Sequence, residues 1–221
     1  IRDKWPHEKI PFAKLLRVGA AYQAIGEHER SFLGYRAVVE TLCTSETGVP
    51  GFLAAKGEFL RSVDVMARLL REYPPEPYTA AARFGLAQQL TAQAPQAADD
   101  PKLKAAGIGR TELLARAGRL LEALLMDHPD DPAADQVAFT ATGGLLELGR
   151  YDAAASACEQ YALRYPDSEL LDSFWYITGY GRFVAGQPDP ARELLRKVAA
   201  HRPIDKTTGQ PTDSPNKWPA I

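Results

Sequence analysis

The feature that most restricts what this chain can fold into is a 37-residue recurrence in its second half. Pro129, Pro166 and Pro203 stand 37 residues apart, and Gly149 and Gly186 keep the same interval. The prolines sit in matching phrases, His128-Pro129-Asp130-Asp131 and Tyr165-Pro166-Asp167-Ser168, with Tyr73-Pro74-Pro75-Glu76 upstream. A fixed period of this length marks a supersecondary unit that cannot bury its apolar surface alone and stacks on copies of itself. The interval from Pro74 to Pro129 is 55 residues, 18 more than the period. The excess coincides with residues 93–110, rich in Pro, Gly, Asp and Ala, which interrupt a helical pattern and read as an inserted loop.

Within each unit the apolar spacing is helical. Leu113, Leu114, Ala117, Leu120, Leu121, Leu124 and Leu125 form one stripe at three-and-four spacing, and Ala191, Leu194, Leu195 and Val198 form another. No segment sustains the alternation of a strand. Asp131-Pro132 and Asp189-Pro190 suit an N-cap followed by proline in the first turn. Gly149 and Gly186 lie between two helical stretches, where a left-handed C-cap is needed. Each unit therefore reads as helix, tight turn, helix and proline-marked loop.

These residues resemble the tetratricopeptide repeat. The last unit carries Trp175, Gly179, Gly186, Ala191, Leu195, Val198 and Pro203 at the consensus spacings. The unit before keeps Gly149, Tyr151, Ala154 and Pro166, with Thr142 at the first small position. Weaker copies run through Gly19, Tyr22, Gly26, Tyr35 and Val38, through Gly57, Phe59, Ser62, Met66, Leu69 and Pro74, and through Leu86, Ala87, Ala117, Leu121, Leu124 and Pro129. In the second of these, residues 47–51 (Thr-Gly-Val-Pro-Gly) break the first helix. The resemblance implies an all-α, right-handed α-α superhelix, a TPR-like solenoid of about four to five helical hairpins. It would occupy residues 1–203, followed by a Pro-rich polar tail or linker at 204–221. The 37-residue period and the Arg-Tyr-Pro-Asp-Ser phrase are similar to repeats of bacterial cell-envelope assembly proteins, namely outer-membrane biogenesis lipoproteins and the Tol-Pal coordinator. That similarity points to a periplasmic or cell-envelope setting.

In this family the first helix of each hairpin lines the partner surface. Ser173, Tyr176, Tyr180 and Phe183 fall on the face of such a helix opposite its partner, the three aromatics at i, i+4 and i+7. Phe84, Phe139 and Tyr176 occupy one repeated place and suit an aromatic floor for a peptide. Packing between repeats competes with ligand contact as the role of such a stripe. The expected partner-binding residues are Phe84, Phe139, Tyr176, Tyr180 and Phe183. The equivalent places lack the Lys, Asn and Arg of a carboxylate clamp.

Other functions find little support. A net charge of -2 and a pI near 6.1 give no electrostatic footprint for nucleic acid. No apolar run reaches membrane-spanning length. Cys43 and Cys158 read as small hydrophobes in helical faces, with a disulfide the lesser alternative. His7, His28, His128 and His201 show no metal-ligand spacing, and His128 and His201 suit helix C-termini. Gly107-Ile108-Gly109-Arg110-Thr111 lacks the lysine and preceding strand of a phosphate loop. No acid–base constellation assembles. The expectation is a non-catalytic interaction scaffold without metal or cofactor, binding a protein or peptide. The alternatives are a docking or regulatory module cut from a larger enzyme or transport machine, motivated by the start at Ile1-Arg2-Asp3, and a helical-array enzyme. Lys217-Trp218-Pro219 echoes Lys4-Trp5-Pro6 and suggests a tail that returns to the array through Trp218.

Overall fold

The computed structural model describes residues 10–203 and 210–216. It is all-α, as the periodicity predicts, and consists of helical hairpins in succession. Ten α-helices are present among the described residues: α1 (Phe12–Ala24), α2 (His28–Ala55), α3 (Phe59–Glu72), α4 (Pro77–Gln93), α5 (Pro101–Ala105), α6 (Arg110–Asp127), α7 (Ala134–Glu147), α8 (Tyr151–Arg164), α9 (Leu171–Val184) and α10 (Pro188–Ala200). The chain forms two compact units, divided between Ala82 and Arg83.

In the first unit α1 packs on α2 and α2 on α3. The expected break at residues 47–51 is absent, and α2 runs unbroken for 28 residues with Pro50 inside it. This polar, proline-containing stretch is held helical by its packing on α3. The hydroxyls of Thr41, Thr44, Ser45 and Thr47 donate to backbone carbonyls three or four residues earlier, so they are satisfied within the helix. Pro50 is itself buried, and its carbonyl accepts a 2.7 Å bond from buried Ser62 Oγ on α3. Ser31 Oγ makes the same kind of bond to Gly19 O, 3.0 Å away, between α2 and α1. Both bonds reach back 12 residues, and each serine lies five after a turn glycine, Gly26 or Gly57. Pro50 thus holds the close-approach position that Gly19 holds one hairpin earlier. The two turn glycines are 31 apart, not 37, because one continuous helix replaces the loop between hairpins.

In the second unit α6 packs on α7, α7 on α8, α8 on α9 and α9 on α10. Arg83 on α4 pairs with Asp127 at the end of α6, at 2.5 Å. The leucine stripe of α6 is buried at Leu113, Leu114, Ala117, Leu121, Leu124 and Leu125. Gly149 and Gly186 take φ of 68° and 75°. There the chain closes each helix with N–H bonds from Arg150 to Leu145 O and from Gln187 to Arg182 O, a reversal that a side chain at the glycine would strain. His128 and His201 occupy C-cap positions, as expected.

Three local readings change. Asp131 is not an N-cap: its Oδ1 accepts from Ala133 N–H in a turn that ends one residue before α7. Asp189 lies inside the first turn of α10, where Pro188 takes the opening position, and it pairs with Arg192. Residues 93–110 are an ordered insert. Asp100 caps α5 by accepting from Lys102 N–H and Leu103 N–H, Pro101 fills the first turn, and Leu103, Ala94 and Ala97 are buried. A leucine buried this fully supplies the apolar anchor that an open loop lacks.

Both cysteines are free and buried. Burial pushes the Cys158 thiol up to about 12, against a smaller opposing hydrogen bond to Thr142. Burial also raises the Cys43 thiol, with Glu46 and Glu40 adding to the shift. At pH 8 a thiol shifted as far as that of Cys158 is roughly one part in ten thousand thiolate. Iodoacetamide at pH 8 is therefore expected to leave Cys158 unmodified in the folded chain and to alkylate it in denaturant. Mass spectrometry of the two reactions checks this.

Candidate functional site

The site is best built from α9, because two glycines let neighbouring helices approach it closely. A Cβ on Gly179 would meet Leu195 side-chain atoms at 3.1 Å and Ala191 O at 3.4 Å, both on α10. A Cβ on Gly181 would meet Ala155 Cβ at 2.7 Å and Tyr151 O at 2.8 Å, both on α8. Gly179, at a consensus position of the repeat, thus lies where α9 and α10 approach most closely among these contacts. Trp175, at the consensus position four residues earlier, lies under Lys197 Nζ at 3.7 Å and edge-on to His201. Gly181 is a close-packing position that the sequence pattern does not single out, since nothing in the repeat consensus marks it.

Close seating of α9 fixes where its aromatic residues stand. Phe174 is fully buried and meets Phe139 edge-on and Tyr161 at a tilt. Tyr176 is half-buried against the same cluster and stacks on Tyr180, with centroids 6.5 Å apart and planes at 16°. Tyr180 continues to Tyr151 at the start of α8, edge-on at 5.8 Å. Tyr180 is 41% exposed and Phe183 62% exposed. Tyr151, which Tyr180 meets, and Val184, which follows Phe183, help to line a cleft of about 340 Å³ with Gly149, Arg150, Asp152 and Ala185 among others. Arg182 spans the surface to Glu159 of α8 at 3.0 Å.

The five expected residues therefore divide. Tyr176 and Tyr180 form one stacked pair, with Phe183 exposed further along the helix. Phe139 and Phe84 are half-buried, and Phe139 contributes to the hydrophobic cluster. No ring contact joins Phe84 to the other four among the described residues. Tyr151 completes the aromatic group, and its place after the turn glycine in Leu-Gly-Arg-Tyr is the available signal.

The tail supplies a further group. Ser214 is buried and its hydroxyl donates to the buried Asp172 carboxylate, at the start of α9. Asn216 Nδ2 donates to Asp172 Oδ2 at 3.3 Å and to Ser173 Oγ at 2.9 Å. Part of the segment expected to be a linker is thus seated on the last hairpin. The expected contact through Trp218, like His7, lies outside the described residues. Among the described residues no group of three His, Cys, Asp or Glu side chains converges as a metal site. No helix of the described residues is long and apolar enough to cross a membrane.

This arrangement defines a helical-repeat protein of tetratricopeptide-like fold. The tetratricopeptide repeat family model matches residues 144–168, the stretch around the Gly149 turn and α8. Among solved structures, the nearly identical TPR-like repeats of a Podosopora anserina kinesin-light-chain-like protein align with a TM-score of 0.51 at 14% identity, covering 86% of this chain and 93% of that one. A point variant of those repeats aligns with the same score and identity over 82% of each chain. At this identity the likeness is one of fold. No curated protein sequence matches the chain.

Proposed function

We propose that the chain is a non-catalytic scaffold that binds a peptide or partner protein through the aromatic face of α9. Tyr176, Tyr180 and Phe183 form the contact, Tyr151 buttresses it, and Phe139 and Phe84 hold the equivalent places on α7 and α4. The observation that carries this reading is that Tyr180 and Phe183 stay exposed on a helix otherwise seated tightly on both neighbours. Rigid aromatic surface held beside a cleft is what protein recognition uses, because it brings large contact area at little entropic cost. The repeat phrases support a setting in a bacterial cell-envelope complex.

The test is photocrosslinking in the native host from a benzoylphenylalanine placed at position 183. A discrete crosslinked partner is expected. Its capture by purified protein should weaken roughly thirty-fold in the Tyr180→Ala, Phe183→Ala double variant, the loss of about 2 kcal/mol typical of an aromatic hot spot. The thermal midpoint should hardly move, since exposed positions contribute little to stability. The control is Met126→Ala with Leu163→Ala, two positions that are 81% and 80% exposed. Equal loss of capture in both double variants, or no crosslink at all, removes the proposal.

A further inference from the structure

The contacts of the C-terminal segment repeat those between the last two hairpins. Asp135 opens α7 and Asp172 opens α9, 37 residues later. In each, Oδ1 accepts the N–H of the next residue, Gln136 at 2.7 Å and Ser173 at 2.8 Å. In each, Oδ2 accepts a serine hydroxyl from further along the chain, Ser168 at 2.6 Å for Asp135 and Ser214 for Asp172. Each serine oxygen in turn accepts the N–H two residues on, from Leu170 at 3.0 Å and from Asn216 at 3.1 Å. Asp131, one period before Ser168, forms the same turn with Ala133. The segment Ser168–Leu170 is the lead-in turn that delivers α9, so Ser214–Asn216 occupies the place and adopts the bonding of a lead-in turn.

We infer that residues 211–216 dock on the α9–α10 hairpin as the lead-in turn of a repeat docks on its neighbour, with the Asp172 carboxylate as the socket. The socket selects a hydroxyl donor followed two residues later by a free backbone N–H. A carboxylate in place of the serine would face Asp172 charge to charge. Because Asp172 is 2% exposed, it depends on these donors: a buried carboxylate stripped of one is strongly disfavoured. The docked segment also holds Ser173 through Asn216, and Ser173 is the first residue of the stripe that continues to Tyr176 and Tyr180. The backbone bond from Thr212 N–H to Pro203 O, 2.9 Å, ties the segment to the stretch just after α10.

Amide hydrogen exchange on the full chain tests the inference. Thr212 is the decisive probe, because its N–H bonds to Pro203 and not to Ser214. In the unsubstituted chain its exchange is expected to be slowed. In Ser214→Ala it should speed at least roughly ten-fold, while the amides in the middle of α9 and α10 keep their rates. Ser214→Thr retains the hydroxyl and should restore protection, and Ser214→Glu should release the segment at least as fully as alanine. Ser168→Ala, at the internal equivalent, should instead loosen α9. A Thr212 amide that exchanges at the unprotected rate without any substitution, or one equally slow in Ser214→Ala, would overturn the inference. Failure of the Thr variant to restore protection would do so too.

Discussion

Replacing Phe174 by alanine is expected to lower the stability of the second unit by about 3–5 kcal/mol, the range for truncating a fully buried aromatic. Phe174 is 0% exposed, and its ring touches Phe139 of α7 at 6.3 Å between centroids and Tyr161 of α8 at 5.9 Å. Leu125, Ala134, Ala138, Ala154, Cys158 and Ile177 belong to the same buried cluster, which joins α6, α7, α8 and α9. Most of these neighbours are small and cannot expand into the space left behind, which favours the upper part of the range. Urea unfolding followed by circular dichroism checks the value. A loss under about 1 kcal/mol, well below that range, would mean that the hairpins are held together elsewhere. In a stacked array each hairpin touches only its neighbours, so the loss should fall on the α7–α9 junction while the first unit keeps its own transition. Tyr180→Ala, one helix face away and 41% exposed, is the matched comparison and should cost far less.

What the sequence discloses, and what it conceals, follows from which residues carry local signals. The hairpins after residue 110 are legible because proline and glycine punctuate them: Pro129, Pro166, Gly149 and Gly186 act through their own backbone constraints, which need no tertiary contact. The same rule misleads at residues 47–51. Pro50 lies inside α2 because it is buried and its carbonyl is bonded to Ser62 of α3, and tertiary contact overrides the local preference. The insert at 93–110 carries Asp100-Pro101, the same start signal as the Asp-Pro pairs at 131 and 189, and here it does open a helix. Asp131 and Asp189 show the opposite outcome, a cap expected where the helix begins two residues later or two earlier. On the candidate site, period alone locates Tyr176, Tyr180 and Phe183. It cannot separate Phe139, drawn into the core, from Phe183, left in solvent, because burial depends on the neighbouring helix and not on register. Asp172 and Ser214 are invisible for a related reason. Their bond spans 42 residues, and only comparison with Asp135 and Ser168 gives it meaning.

The helix that presents the aromatic face also carries the tightest glycine contact among the described residues, and this makes Gly181→Ala an informative single methyl. The added Cβ would stand 2.7 Å from Ala155 Cβ and 2.8 Å from Tyr151 O. The first obstacle is a short rigid side chain and the second is backbone, so neither can swing aside as a long side chain would. Overpacking of this kind costs about 1–3 kcal/mol, and α9 must move away from α8 to relieve it. Gly179→Ala is the control: its nearest obstacle is the mobile end of Leu195 at 3.1 Å, so a smaller loss is expected although alanine has the higher helix propensity at both sites. The displacement has a direction. Tyr151 and Tyr180 meet edge-on across the same α8–α9 contact, so Gly181→Ala should disturb that pair while leaving Trp175 and Lys197, on the α10 side, in place. Thermal unfolding gives the energetic ordering, and near-ultraviolet circular dichroism or ring NMR shifts of Tyr151 and Tyr180 give the geometric one. If Gly179→Ala proved the more damaging, or if the Tyr151 and Tyr180 signals stayed fixed in Gly181→Ala, then α9 would not be positioned by its contact with α8, and the tyrosine pair would owe its arrangement to something other than that close approach.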